Sequence, residues 1–219
     1  MKAYILSVGD ELTLGQTVDT NSAWLSQQLA SIGCWICGHM TVPDDRAAIA
    51  SAISEASRRC DVLLISGGLG PTKDDLTHQA LADAMGVGLE MNEKWLAQLE
   101  EFFRIRRRPM VAANRVQAML PIGCRMIENS CGTACGMHAR VGDCDVYVMP
   151  GVPKEMFAMF TRDVLPQLRE RANGAVILSR TLHTFGLGES NVAELLGDLM
   201  KRGRNPSVGT TVSGGIVSL

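Results

Sequence analysis

The chain has 219 residues, 46% of them hydrophobic and 20% charged, with a net charge of −2. That balance argues against a disordered chain and leaves no general electrostatic footprint for nucleic acid. No window approaches the roughly 20 apolar residues of a membrane span, so the expectation is a folded cytoplasmic protein with no membrane partner.

The first expected strand is AYILSV, Ala3–Val8, which ends on two acids and lacks a cleavage site, so it does not read as a signal peptide. A helix follows over residues 19–32, with Asp19, Thr20 or Asn21 as its cap, Leu25, Leu29 and Ile32 at helical spacing and Gly33 as its stop. The second strand, about Cys34 to Val42, holds a C-x-x-C that reads as buried core thiols, because no helix N-terminus follows to make it a redox motif. The seven cysteines, in a chain without an export signal, read as reduced. Residues 44–59 repeat the helical pattern with Ile49, Ala52, Ile53 and Ala56 on one face. DVLLIS is then a short apolar run, as expected of a central strand buried on both faces.

The stretch after it, SGGLGPTKDDLT, is expected to enter a helix near Thr72 that runs to about Met85. A longer helix should end at Pro109, its Arg104, Arg106, Arg107 and Arg108 favouring the negative helix terminus. CRMIEN and GMHARVGDCDVYVM predict a hairpin that turns at VGDCD and feeds the last core strand, and residues 153–170 predict a closing helix. Strands alternating with helices predict a three-layer α/β/α domain with a mostly parallel sheet over residues 1–171. From 172 to 219 the order strand, helix, strand predicts a small separate β-α-β unit, which stops inside strand-like sequence and so reads as cut short.

Ligands of such sheets bind at the carboxyl ends of the strands, near a reversal of strand order. After strand one come Asp10 and Glu11, after strand two Asp44 and Asp45, after strand three the glycine turn with Asp74 and Asp75, and after the last core strand Glu155. Each acid alone has a helix-capping explanation, but acids crowded from four loops repel one another, and a divalent cation relieves that repulsion. Gly67, Gly68 and Gly70 let backbone N–H groups approach an anion, beside Thr72 and Lys73, although the pattern is neither a P-loop nor a dinucleotide fingerprint. A phosphate-binding turn beside metal-binding carboxylates is what cleavage of a phosphoanhydride requires.

SVGDELTLGQTVDTNSAWL, SGGLGPTKDDLT, NSCGTACG and MPGVPKEM together resemble the N-terminal region of the competence/damage-inducible CinA family, within the molybdopterin-binding MoaB/Mog/MoeA-like superfamily. FGLGES and NPSVGTTVSGG extend the resemblance into the small unit, which is expected to be KH-like. The resemblance implies a metal-dependent hydrolase that cleaves the pyrophosphate of ADP-ribose to AMP and ribose 5-phosphate, using magnesium, manganese or cobalt. Taken with the placement of these residues after the strands, it makes Asp74, Asp75 and Asp44 the catalytic candidates, and Asp10, Glu11, Asp74 and Asp75 the metal candidates. Gly67, Gly68, Gly70, Thr72 and Lys73 go to phosphate, and Gly132, Thr133 and Glu155 to the nucleoside or ribose. Cys131 and Cys135 depart from the family's PVGTAPG pattern, which leaves the shape of that loop open. The pyridine-nucleotide amidase domain into which CinA proteins often continue has no counterpart in these residues.

The competing readings are a molybdopterin-binding or transfer role in molybdenum-cofactor assembly, and a non-catalytic nucleotide-binding module. The expected partners are a small nucleotide and a second copy of the chain, as a homodimer or higher homo-oligomer. Nucleic acid is not expected, because Glu189 stands where a KH loop needs its second glycine. The apolar face Val192, Leu195, Leu196 and Leu199 is expected instead to pack on another domain or subunit.

Overall fold

A computed structural model describes residues 1–172, 174 and 176–219, which divide into two compact units, Met1–Ile177 and Leu178–Leu219. The first unit is built on a six-stranded sheet in the order β2-β1-β3-β8-β7-β6. Its strands are β1 (Lys2–Val8), β2 (Trp35–Val42), β3 (Val62–Ser66), β6 (Arg125–Ile127), β7 (Gly136–Val141) and β8 (Cys144–Met149). The strands β4 (Leu89–Met91) and β5 (Met119–Pro121) form a separate two-stranded ribbon. β1, β2, β3 and β8 are parallel, β7 runs antiparallel to β8, and β6 is antiparallel to β7 and so shares the direction of the first four.

Period-two alternation builds two cores from one sheet. Tyr4, Leu6, Val8, Leu63 and Ile65 share one core with Ile49 and Ile53 of α3 (Arg46–Ser57) and with Leu81 of α4 (Thr77–Met85). Ala3, Ile5, Val62 and Leu64 face the other core, with Leu25 and Leu29 of α2 (Thr20–Ser31). α6 (Pro153–Met159) and α7 (Leu165–Arg171) complete that second layer. Every residue of β3 is buried, as its unbroken apolar run predicts.

Register matters most for function. Val8 pairs with Val42, Ser7 with Ser66, and Ser66 with Met149, so four parallel strands end level. Because β1 lies between β2 and β3, the chain crosses to both sides of it, and the reversal of strand order falls where β1 meets β3.

Several expectations need correction. The helix expected from Thr72 begins at Thr77, because residues 71–76 form turns closed by the Asp75 side chain. β2 is an edge strand with alternating exposure and not a buried one, so Cys37 is exposed although Cys34 is buried. The long helix α5 stops earlier than expected, at Glu93–Ile105. The closing helix is interrupted by a π turn at Phe160–Val164, just before Pro166, whose ring nitrogen cannot donate to the preceding turn.

The second unit contains β9 (His183–Phe185), α8 (Glu189–Leu196) and a closing hairpin of β10 (Thr211–Ser213) and β11 (Ile216–Ser218). Its three strands are antiparallel, in the order β10-β11-β9. The last expected strand is therefore two, reversed at Gly214 and Gly215, which both take the positive φ of a tight hairpin turn. Ala175, where the expected first strand of this unit begins, lies outside the described residues. On α8 Val192 is buried while Leu195 remains exposed, as does Leu199 in the 3-10 turn Gly197–Met200 that follows.

Candidate active site

The level ends of β1, β3 and β8 open onto a cavity of about 530 Å³. Glu11, Asp44, Asp75 and Glu155 line it from the segments that follow four different strands, and Gly67, Gly68, Gly70 and Thr133 form part of its wall. Asp10, Thr72, Lys73, Asp74 and Gly132 do not line it. Thr72, Lys73 and Asp74 are exposed on the outside of the turn.

Asp10 nevertheless fixes Asp44. The Asp10 N–H donates to Asp44 Oδ2 at 2.9 Å, and the Asp44 N–H donates to Asp10 Oδ1 at 3.1 Å. This reciprocal pair ties the four-residue helix α1 (Asp10–Thr13) to the start of α3. Asp45, not Asp44, caps α3, accepting from the Ala48 N–H at 2.8 Å. Asp44 is thus left facing the cavity. Burial first, and then the charges of Asp10, Glu11 and Asp75, hold its carboxyl above the usual carboxylate range, while the Asp10 backbone N–H pulls it down.

Asp75 braces the glycine turn. Its carboxylate accepts from the Gly70 N–H at 2.7 Å, the Thr72 N–H at 2.8 Å and the Thr72 hydroxyl at 2.6 Å. Two backbone donors of the expected phosphate turn are therefore held by an internal anion. Thr77 Oγ1 donates to Gly67 O at 3.0 Å and secures the other side of the turn.

Residues that the sequence did not single out hold the opposite wall. Buried Asn129 donates to Ala134 O at 2.8 Å and to Glu155 Oε2 at 2.7 Å, and its Oδ1 accepts from the N–H groups of Cys131 and Gly132. Buried Gln117 lines the cavity and donates to Thr133 Oγ1 at 3.2 Å and Leu69 O at 3.4 Å. An Asn entering a Gly-rich loop is a legible turn signal. Gln117 lies in a short 3-10 turn, Ala112–Ala118, with no such marker. Of the two departures from the family pattern, Cys131 is exposed and Cys135 is buried, and that burial pushes the Cys135 thiol up to about 12.

Among the described residues, no group of three or more His, Cys, Asp or Glu side chains stands close enough to hold a metal ion. An all-protein cage is absent from the described residues, but the donor chemistry suits a hard cation. Magnesium is commonly bound through one or two carboxylates, with water and substrate phosphates completing its shell. Glu11 and Asp44 are carboxylates of that kind, on the cavity wall that also carries the glycine turn.

Residues 4–170 match the family described as Probable molybdopterin binding domain, and residues 179–219 match Damage-inducible protein CinA KH domain. The chain belongs to the CinA family. A CinA-like protein of Citrifermentans bemidjiense is 46% identical over 196 residues, covering 90% of this chain and 47% of its own length. A CinA-like protein of Frankia casuarinae is 44% identical over 226 residues, covering 98% and 52%. The chain therefore spans about half the length of these CinA relatives. The crystal structure of a CinA protein of unknown function from Thermoplasma acidophilum superposes with a TM-score of 0.70 at 33% identity, over 78% of this chain and 97% of that one. A molybdopterin biosynthesis protein from Mycobacterium abscessus, at 17% identity and a TM-score of 0.53 over 78% and 94%, shares the fold alone. No helix among the described residues is long and apolar enough to cross a membrane.

Proposed function

We propose that this chain hydrolyses the pyrophosphate of ADP-ribose, giving AMP and ribose 5-phosphate, in the presence of magnesium, manganese or cobalt. The observation that carries the reading is one cavity that Glu11, Asp44 and Glu155 line together with the glycine turn, which Asp75 braces from within. The turn's remaining backbone surface receives the diphosphate, and Asp75 keeps that surface in shape. Thr133, oriented by Gln117, and Glu155, oriented by Asn129, stand on the nucleoside and ribose side. Asp44, whose carboxyl is held above the usual range by burial first and by the charges of Asp10, Glu11 and Asp75 second, is the carboxylate whose charge a bound cation would relieve most. A divalent cation held by Glu11 and Asp44 together with the substrate phosphates would supply Lewis acidity toward the phosphoanhydride. Asp74, exposed and off the cavity wall, is left without a role in this reading.

The same reading has the chain act on a small nucleotide rather than a nucleic acid. In the small unit, Glu189 accepts from Thr210 Oγ1 at 2.9 Å, which keeps a carboxylate beside the FGLG turn where a phosphate-clamping loop would need none. Exposed Leu195 and Leu199 support assembly as a homodimer or higher oligomer.

The test is incubation with ADP-ribose, with and without each cation, followed by separation of AMP and ribose 5-phosphate. Cation-dependent AMP, reduced at least about 100-fold in Asp44→Asn, is expected. Tight nucleotide binding with no AMP under any cation would replace the hydrolase with a binding module.

A further inference from the structure

The opposite end of the sheet carries a second chemical feature that the site does not use. Cys60 precedes β3 and Cys144 opens β8, and their sulfurs lie 3.7 Å apart, in van der Waals contact. Cys144 is buried, but Cys60 is only half-buried and lines a surface cavity of about 680 Å³, together with Ser57, Arg58, Ala84 and Gly142. The contact is formed across neighbouring parallel strands, where the Asp145 N–H donates to Asp61 O at 3.0 Å and fixes the local register. Neither backbone needs rearranging to keep the two side chains facing each other.

We propose that Cys60 and Cys144 form a peroxide-sensitive dithiol that closes to an intramolecular disulfide. The chemistry is already arranged for it. The contact between the two sulfurs holds Cys144 below the ordinary thiol range and, ahead of burial, pushes Cys60 up. One proton is thus shared between two sulfurs, and loss of the other leaves a thiolate that its neighbour stabilises. With the shared proton on Cys144, the Cys60 sulfur, the one of the pair that lines the cavity, carries the thiolate and attacks one oxygen of a hydroperoxide there. The O–O bond breaks, giving a sulfenic acid and hydroxide, and the hydroxide takes the remaining thiol proton. The second sulfur then displaces hydroxide from the sulfenic sulfur, so two thiols and one molecule of hydrogen peroxide become one disulfide and two waters.

Rival outcomes are built into the molecule. Cys131 is exposed, and Cys37 is exposed with its sulfur 3.8 Å from Arg59 O, close to Cys60. Surface reactivity alone would therefore oxidise Cys131 or Cys37 first.

The experiment treats the reduced full chain with hydrogen peroxide near neutral pH, blocks free thiols by alkylation, and maps peptides without reduction. Of the seven thiols, two should be lost, with a linked peptide pair joining Cys60 to Cys144 that dithiothreitol releases. The link should vanish in Cys60→Ser and persist in Cys131→Ser. The oxidised protein should also melt at a higher temperature, because the link joins residues 84 apart in sequence. A sulfinic acid on Cys60 with Cys144 still alkylatable, or a link through Cys37, would overturn the proposal. The wild-type map decides this even if the serine variant does not fold.

Discussion

Asp75 and Gly70 depend on each other. A Cβ at position 70 would stand 2.5 Å from Asp75 Oδ2, so Gly70→Ala is expected to expel the carboxylate and release the Gly70 and Thr72 N–H groups it holds. The expected cost is about 1–3 kcal/mol, read as a lower melting temperature, with loss of nucleotide affinity in the same variant. Two residues after the turn enters α4, His78 is 1% exposed and neither ring nitrogen has a partner among the described residues. Burial pushes its pKa down to about 4, against a smaller opposing pull from Asp75. The fold thus keeps the imidazole neutral while the unfolded chain protonates it near 6.5, so stability is full above that value and falls as the pH drops toward about 4. The lost stability amounts to about 3 kcal/mol at the acid end. His78→Leu should flatten that part of a plot of denaturant midpoint against pH. An unchanged acid limb would mean that another group carries it.

At the level of elements, the segment between β6 and β7 is held by one side chain. Asn129 makes four hydrogen bonds there, and three of them are to backbone. Asn129→Ala should cost about 2–4 kcal/mol, because buried partners lose their mates as well as their bond. Asn129→Asp should keep the acceptor half of the network but set a second carboxylate against Glu155, and it should weaken turnover more than folding. Comparing the two variants by melting temperature and by AMP formation separates the effects. The parts of this region that the sequence made legible were those governed by local rules. The β7–β8 hairpin followed from VGDCD, and the acids followed from their places after strands. The start of α4 did not, since a side chain five residues along the chain from Gly70 closes the turn that delays the helix. Gln117 was equally hidden, because its role comes from contacts with Leu69 and Thr133, which only tertiary packing brings to it.

On the scale of the molecule, the cavity is a local excess of negative charge in a chain of net charge −2. A ligand that binds only the folded state raises the melting temperature by mass action. Added divalent cation should therefore stabilise the wild type, and Asp44→Asn should remove most of that gain. Without cation, the same substitution should itself be mildly stabilising near neutral pH. Asp44 has a raised carboxyl pKa, so its contribution is intact below the usual carboxylate range and is lost as the pH rises through the raised value. A cation-induced rise of equal size in wild type and variant would remove Asp44 from the proposed metal edge.

The place of β8 in the sheet has a consequence for biosynthesis. It lies between β3 and β7 although it is the last strand of the sheet to leave the ribosome. Until residues 144–149 emerge, one whole edge of β3, with the apolar sequence VLLIS, has no neighbour to take its backbone hydrogen bonds. An unpaired hydrophobic edge invites pairing with other chains. The nascent protein must therefore pass through a stage that is open to aggregation and lacks the completed cavity, and a chain ended at Asp143 should be insoluble where one ended at Ile177 is not.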